Sequence, residues 1–119
     1  LEEHDEVMAW VLGLSHLVNI AFASALADSG EQVPLLERIS SSTFNAQLKV
    51  AAQVVSENPH LYYEIQQGND RTAGVVERFR QSLERLAGAV AEGEEERFVD
   101  AMEQANARLS QGRAPDAIG

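Results

Sequence analysis

A chain of 119 residues, 45% of them apolar, is one domain's worth and can bury a real core. Nine basic against nineteen acidic residues give a formal charge of −10, which repels a phosphate backbone and argues against nucleic-acid binding. The absence of cysteine excludes a disulfide framework and thiolate chemistry.

Helical periodicity runs through nearly the whole chain and strand signals are almost absent. The first helix is expected from about Glu3 to Asp28, with Gly30 as its stop. Acidic Glu2, Glu3, Asp5 and Glu6 suit its positive N-terminal end. Val7, Val11, Leu14, Val18, Phe22 and Ala25 form one stripe, while Met8, Trp10, Leu12, Leu17, Ile20 and Leu26 put apolar groups on the remaining faces. A helix apolar nearly all round is buried on most sides. One small chain can hardly wrap it, which points to a partner chain or domain. Ser15, His16, Asn19 and Ser24 interrupt the run, so no membrane span is expected, and no basic flank marks a signal peptide.

Pro34 suits the first turn of a short helix carrying Leu35, Leu36 and Ile39. Ser40, Ser41 and Ser42 break the pattern. Thr43 is the expected cap of a helix from Phe44 to about Glu57, with Leu48, Ala51, Ala52 and Val55 inward. Asn58-Pro59 repeats the cap-then-proline signal and opens a segment from His60 to Gln67, closed by Gly68-Asn69-Asp70. Val76, Phe79, Leu83, Leu86 and Val90 then step 3, 4, 3, 4 along a helix that ends at Gly93. Glu94 to Glu96 open a last helix with a stripe of Phe98, Ala101, Met102, Ala105 and Leu109. Residues 111–119, with Gly112, Pro115 and Gly119, read as a frayed tail.

Ser15, His16 and Asn19 are polar groups inside the most apolar helix, and they span an arc of roughly 100°. A buried polar group must find a partner or costs on the order of 1–3 kcal/mol. The trio either bonds to neighbouring helices or lines a polar cleft for a small ligand. A histidine suits such a cleft because a modest shift lets it meet a carboxylate as a cation. No metal set is visible: His4, His16 and His60 lack ligand spacing with an acidic helper. No nucleophile elbow is present, and no Gly-x-Gly-x-x-Gly follows a predicted strand.

Three segments, taken in order with their spacing, carry a family resemblance. They are His4 to His16 (HDEVMAWVLGLSH), Leu35 to Phe44 (LLERISSSTF) and Glu57 to Ile65 (ENPHLYYEI). Together they resemble the helical C-terminal domain of prephenate dehydrogenases, over about Glu3 to Leu109. The resemblance implies an all-α bundle of five or six helices with a long buried first helix. Residues 1–110 would form a dimerisation and substrate-cleft domain. The expected partners are a second copy of the chain, the enzyme's N-terminal nucleotide-binding domain and a small-molecule substrate, in the cytoplasm. NAD or NADP would bind the full-length enzyme but not this chain, which is expected to be inactive alone; Leu1 in place of Met fits a fragment.

Residue by residue, the resemblance places His16 at a histidine near the family's substrate cleft. Asn19 stands where some members carry a second histidine; it can donate a hydrogen bond but holds no charge. The family often has an arginine six residues before the proline of its Asp-Pro or Asn-Pro element. Here that position is Gln53, and an amide cannot replace a guanidinium fork. Tyr62 matches an aromatic position, with simple packing as its other reading. Arg71 matches a basic position that could supply the missing charge, or it is a helix cap. The alternatives to a prephenate dehydrogenase domain are a non-catalytic dimerisation module and an arogenate-specific relative.

Overall fold

The computed structural model describes residues 2–30, 33–39 and 41–111. Among them it shows helices and no strand. The helices are α1 (Glu2–Met8), a π-helical segment (Ala9–Leu14), α2 (Ser15–Ser29), α3 (Val33–Ile39), α4 (Ser42–Val55), α5 (Pro59–Gln67), α6 (Thr72–Ala91) and α7 (Glu95–Gln111). The first three run on as one rod, so the described residues form six helices, at the upper end of the expected number. Of the expected tail, Gln111 is the last residue of α7, and 112–119 lie outside the described residues. The chain divides into two compact units, Leu1–Val76 and Glu77–Gly119, with α6 running from one into the other.

In the first unit α2 packs on α4, and α5 packs on the π-helical segment. Phe22 and Phe44 meet edge to face at 5.9 Å between the first pair. The rod ends at Gly30, whose φ of 79° is a left-handed conformation costly for residues with a Cβ. The π-helical turn is fixed by neighbours as well as by its own backbone. The Ser15 N–H donates to the Trp10 carbonyl, five residues back. The Gln66 Nε2 donates to the carbonyls of Leu12 and Gly13 at 3.4 and 3.3 Å, and the Asn69 Nδ2 donates to the Asp5 carbonyl at 2.9 Å. Side-chain amides thus hold carbonyls that a widened helix leaves available.

That turn changes which face of the rod points inward. Ala9 and Gly13 are the buried pair, while Val7 and Val11 of the expected stripe are about half exposed. Small residues four apart let α5 and the start of α6 approach closely. A Cβ at Gly13 would lie 3.0 Å from the Thr72 Oγ1 and 3.2 Å from its Cγ2. Burial of the first helix within one chain is therefore limited, and much of its apolar surface stays open. By length and composition the rod from Glu3 to Ser29 is also long and apolar enough to cross a membrane, despite the polar residues that were expected to rule this out.

Two further corrections concern α4. Its cap is Ser41, whose Oγ accepts from the Phe44 N–H at 3.1 Å, so Thr43 lies inside the helix. Its buried residues are Ala51 and Val54, whereas Ala52 and Val55 are exposed. The helix starts two residues earlier than expected, and its contact stripe is Phe44, Leu48, Ala51 and Val54. Asn58 caps α5 as expected, its Oδ1 accepting from the His60 N–H at 3.0 Å, with Pro59 in the first turn.

In the second unit α6 ends in a Schellman motif. The Glu94 N–H donates to the Ala89 carbonyl at 2.9 Å and the Gly93 N–H to the Val90 carbonyl at 3.3 Å, with Gly93 at φ 68°. Glu95 and Glu96 occupy the first turn of α7. On α6 the Arg80 guanidinium bonds to Glu77 and Glu84; it holds the Glu77 carboxyl below its usual range. The expected seam stays largely open: Leu83, Val90, Met102 and Leu109 are all more than half exposed.

Candidate functional site

The site lies in the first unit, where α2, α4 and α5 converge. Asn58 and Pro59 start α5 at a fixed point, and this places Tyr62 one turn in, facing α2. The Tyr62 ring meets the His16 imidazole edge to face, with centroids 4.6 Å apart and planes at 76°. The His16 Nδ1 is buried and has no hydrogen-bond partner among the described residues. The Tyr62 hydroxyl donates to the Glu57 carboxylate. That bond, followed by loss of solvent and the nearby negative charge, raises the Tyr62 pKa above the ordinary phenol value.

Beside this pair lies a groove of about 370 Å³. Leu17, Ile20, Val54 and Val55 supply apolar lining, with Glu57 and Tyr62 also in its wall. It has the volume and the mostly apolar lining of a small-molecule site. Gln66, one turn beyond Tyr62, and Thr72, at the start of α6, each carry a buried polar oxygen without a partner among the described residues.

The residues singled out from sequence separate here. His16 and Tyr62 come together. Asn19 turns back on its own helix, its Nδ2 donating to the Ser15 carbonyl at 2.9 Å. Ser15 itself is exposed. Gln53 presents its side chain on an exposed face of α4, and its carbonyl accepts from the Ser56 N–H and Oγ at 3.3 and 2.7 Å. Arg71 is half-buried just before α6. Its N–H donates to the Asn69 Oδ1 at 2.9 Å and its carbonyl accepts from the Val75 N–H at 3.3 Å, the place of a helix cap. Sequence reasoning missed Glu57 and Gln66. Both had a signal: Glu57 immediately precedes the Asn-Pro element, and Gln66 follows Tyr62 by four residues, on the same helix face.

Among the described residues no strand leads into a glycine-rich turn and helix, so nothing here fits a dinucleotide phosphate pair. No group of three or more His, Cys, Asp or Glu residues that could hold a metal ion occurs among them either.

The described residues of the first unit thus form a helical domain with a largely uncovered apolar rod and a small groove beside it. The family model described as "Prephenate dehydrogenase, dimerization domain" matches residues 1–104, and the chain belongs to that family. It is 26% identical over 104 residues to a protein named "Probable arogenate/prephenate dehydrogenase" from Methanocaldococcus jannaschii, covering 87% of this chain and 23% of that protein. It is 23% identical over 97 residues to the "T-protein" of Enterobacter agglomerans, covering 82% and 26%. It is 28% identical over 96 residues to the "4-amino-4-deoxyprephenate dehydrogenase" of Streptomyces pristinaespiralis, covering 81% and 32%. The chain therefore spans a third or less of the length of these relatives. No solved structure matches it.

Proposed function

We propose that this chain is the dimerisation and substrate-cleft domain of a prephenate dehydrogenase. The enzyme would carry out the NAD- or NADP-dependent oxidative decarboxylation of prephenate to 4-hydroxyphenylpyruvate, in tyrosine biosynthesis. The observation that carries this reading is the family match over residues 1–104. Hydride chemistry would belong to the nicotinamide cofactor held by another domain. This chain would contribute position and electrostatics: His16, backed by Tyr62, would meet a substrate carboxylate, with Asn19, Gln53 and Arg71 as further candidates around the cleft. A homodimer would bury the open face of the first helix. A cytoplasmic setting goes with this reading, because cofactor and substrate are both drawn from a soluble pool.

Gln53 favours a second reading. An amide in place of a guanidinium weakens any grip on a substrate carboxylate, which suits a non-catalytic module. The test is His16→Ala in the full-length enzyme. Loss of a charge-assisted hydrogen bond in the ground state should raise KM about ten- to a hundredfold with little change in kcat. Gln53→Arg should tighten prephenate binding. Unchanged KM and kcat in a folded His16→Ala enzyme would reduce His16 to a packed ring and favour the module.

A further inference from the structure

Asn58 is the cap of α5, so Glu57 stands one residue before the cap and Tyr62 at the fourth helical position. In many helices these two positions hold apolar residues whose contact sets the angle at which the chain enters the helix. Here the contact is polar, because the Tyr62 hydroxyl donates to the Glu57 carboxylate. A carboxylate also suits the positive end of a helix. Both backbones are held: the Glu57 N–H donates to the Val54 carbonyl at 3.2 Å and the Tyr62 N–H to the Asn58 carbonyl at 3.3 Å. One turn on, the Gln66 amide ties α5 to the rod carbonyls of Leu12 and Gly13. The α5 backbone is thus fixed, and what is left to settle is the Tyr62 rotamer. That side chain is only half-buried, so packing alone covers one side of it. The bond to Glu57 selects the rotamer in which the ring stands edge to face against His16, 4.6 Å between centroids. A hydroxyl bonded to a charged acceptor is held more strongly than one bonded to a neutral group. On the other side of the contact, the His16 Nδ1 is buried without a partner among the described residues. No hydrogen bond at that atom orients the imidazole, and the Tyr62 ring supplies a directional contact in its place.

We infer that Glu57 is the positioning residue of the His16–Tyr62 pair: it holds the phenol by its hydroxyl, and the phenol ring holds the imidazole. Glu57 acts through Tyr62 and not in the chemistry. The inference deepens the proposed function and rests on it only for what His16 then meets.

The His16 ring protons report the pair directly, because an aromatic ring this close displaces their resonances. They are followed in the 119-residue chain at a pH well above the ordinary imidazole range, with Tyr62→Ala as the reference that lacks the ring. Glu57→Ala should move them more than half of the way to that reference. Glu57→Gln should leave them near their wild-type places, because the amide oxygen still accepts from the phenol. Tyr62→Phe should act as Glu57→Ala does, and the two changes together should do no more than either alone. Glu57 is exposed, and Asn58 and Pro59 still start α5, so Glu57→Ala keeps the helix. A residue that merely shaped the start of α5 would leave the His16 resonances in place. In the full-length enzyme Glu57→Ala should raise KM about two- to tenfold with kcat little changed, and should add nothing to His16→Ala. His16 resonances that stay put in Glu57→Ala, or a KM effect that persists on top of His16→Ala, would overturn the inference. If the resonances move as expected and His16→Ala leaves both kinetic constants unchanged, the positioning stands and the assigned role of His16 falls. If His16→Ala raises KM and Glu57→Ala does not, the inference falls and the role of His16 stands.

Discussion

Glu57 and Tyr62 form the one side-chain pair at the site whose protonation has a clear direction. The neutral phenol donates to the carboxylate, so ionising Tyr62 removes the bond and sets two negative charges together. The folded pKa lies above the unfolded value of 10.0. Stability from this pair is therefore fully present below pH 10.0 and lost as pH rises through the higher folded value. Ultraviolet titration of the phenolate should show Tyr62 ionising late, and Glu57→Gln should bring its midpoint back toward the ordinary value. A midpoint that does not move in Glu57→Gln would mean the bond is absent in solution. His16 shows how far sequence reaches at this scale. Its place in an apolar helix marked it as a group with something to do. The ring it faces was visible only once Asn58 and Pro59 had set the start of α5. Asn19 looked equivalent and is not, because an amide one turn along can satisfy itself on its own helix.

At the scale of elements, breaks were easier to read than faces. Gly30, Gly93 and Asn58-Pro59 act through local backbone chemistry, and each ends or starts a helix where it was expected. The inward face of the first helix was misread because periodicity assumes a uniform helix, and six residues here are π-helical. No local signal in Ala9–Leu14 announces the wider turn. It goes with Gln66, more than fifty residues away, reaching the carbonyls of Leu12 and Gly13, and with Asn69 reaching that of Asp5 just before it. Gly13 is the position to test. Alanine there would gain about 1 kcal/mol of helix propensity. It would also drive a Cβ to 3.0 Å from the Thr72 Oγ1, and such overpacking costs about 1–3 kcal/mol. The cost should win, so Gly13→Ala should lower the urea midpoint of the first unit. Thr72→Ala in the same chain should recover most of the loss, because it removes the atoms in the way. Additive effects of the two changes would show that the helices do not approach there as described.

For the whole molecule, the uncovered apolar surface is what calls for a partner. Val7, Trp10 and Val11 stand open along one stretch of the first helix, at 50, 42 and 54% of their full exposure. A contiguous apolar patch of this kind on a lone chain marks an interaction surface. The family is a dimerisation domain, and a second copy burying this helix against its own equivalent is the expected assembly. Such an interface would exceed about 2,000 Å² in total. A bilayer is the competing cover, since the same helix is long and apolar enough to cross one. The two differ at Ser15, His16 and Asn19, whose polar groups an interface or cleft accommodates and hydrocarbon does not. Sedimentation equilibrium without detergent, at low micromolar concentration, should give a dimer, and the protein should not pellet with lipid vesicles. Trp10 is the residue to change. Its indole Nε1 donates to Glu6 at 3.2 Å on the rod's own surface, so little of the single chain's packing depends on it. Trp10→Asp should therefore abolish the dimer while adding charge to a surface already at −10. A wild-type chain that sediments as a folded monomer, or that needs vesicles to stay in solution, would rule out the dimer as the partner of this helix.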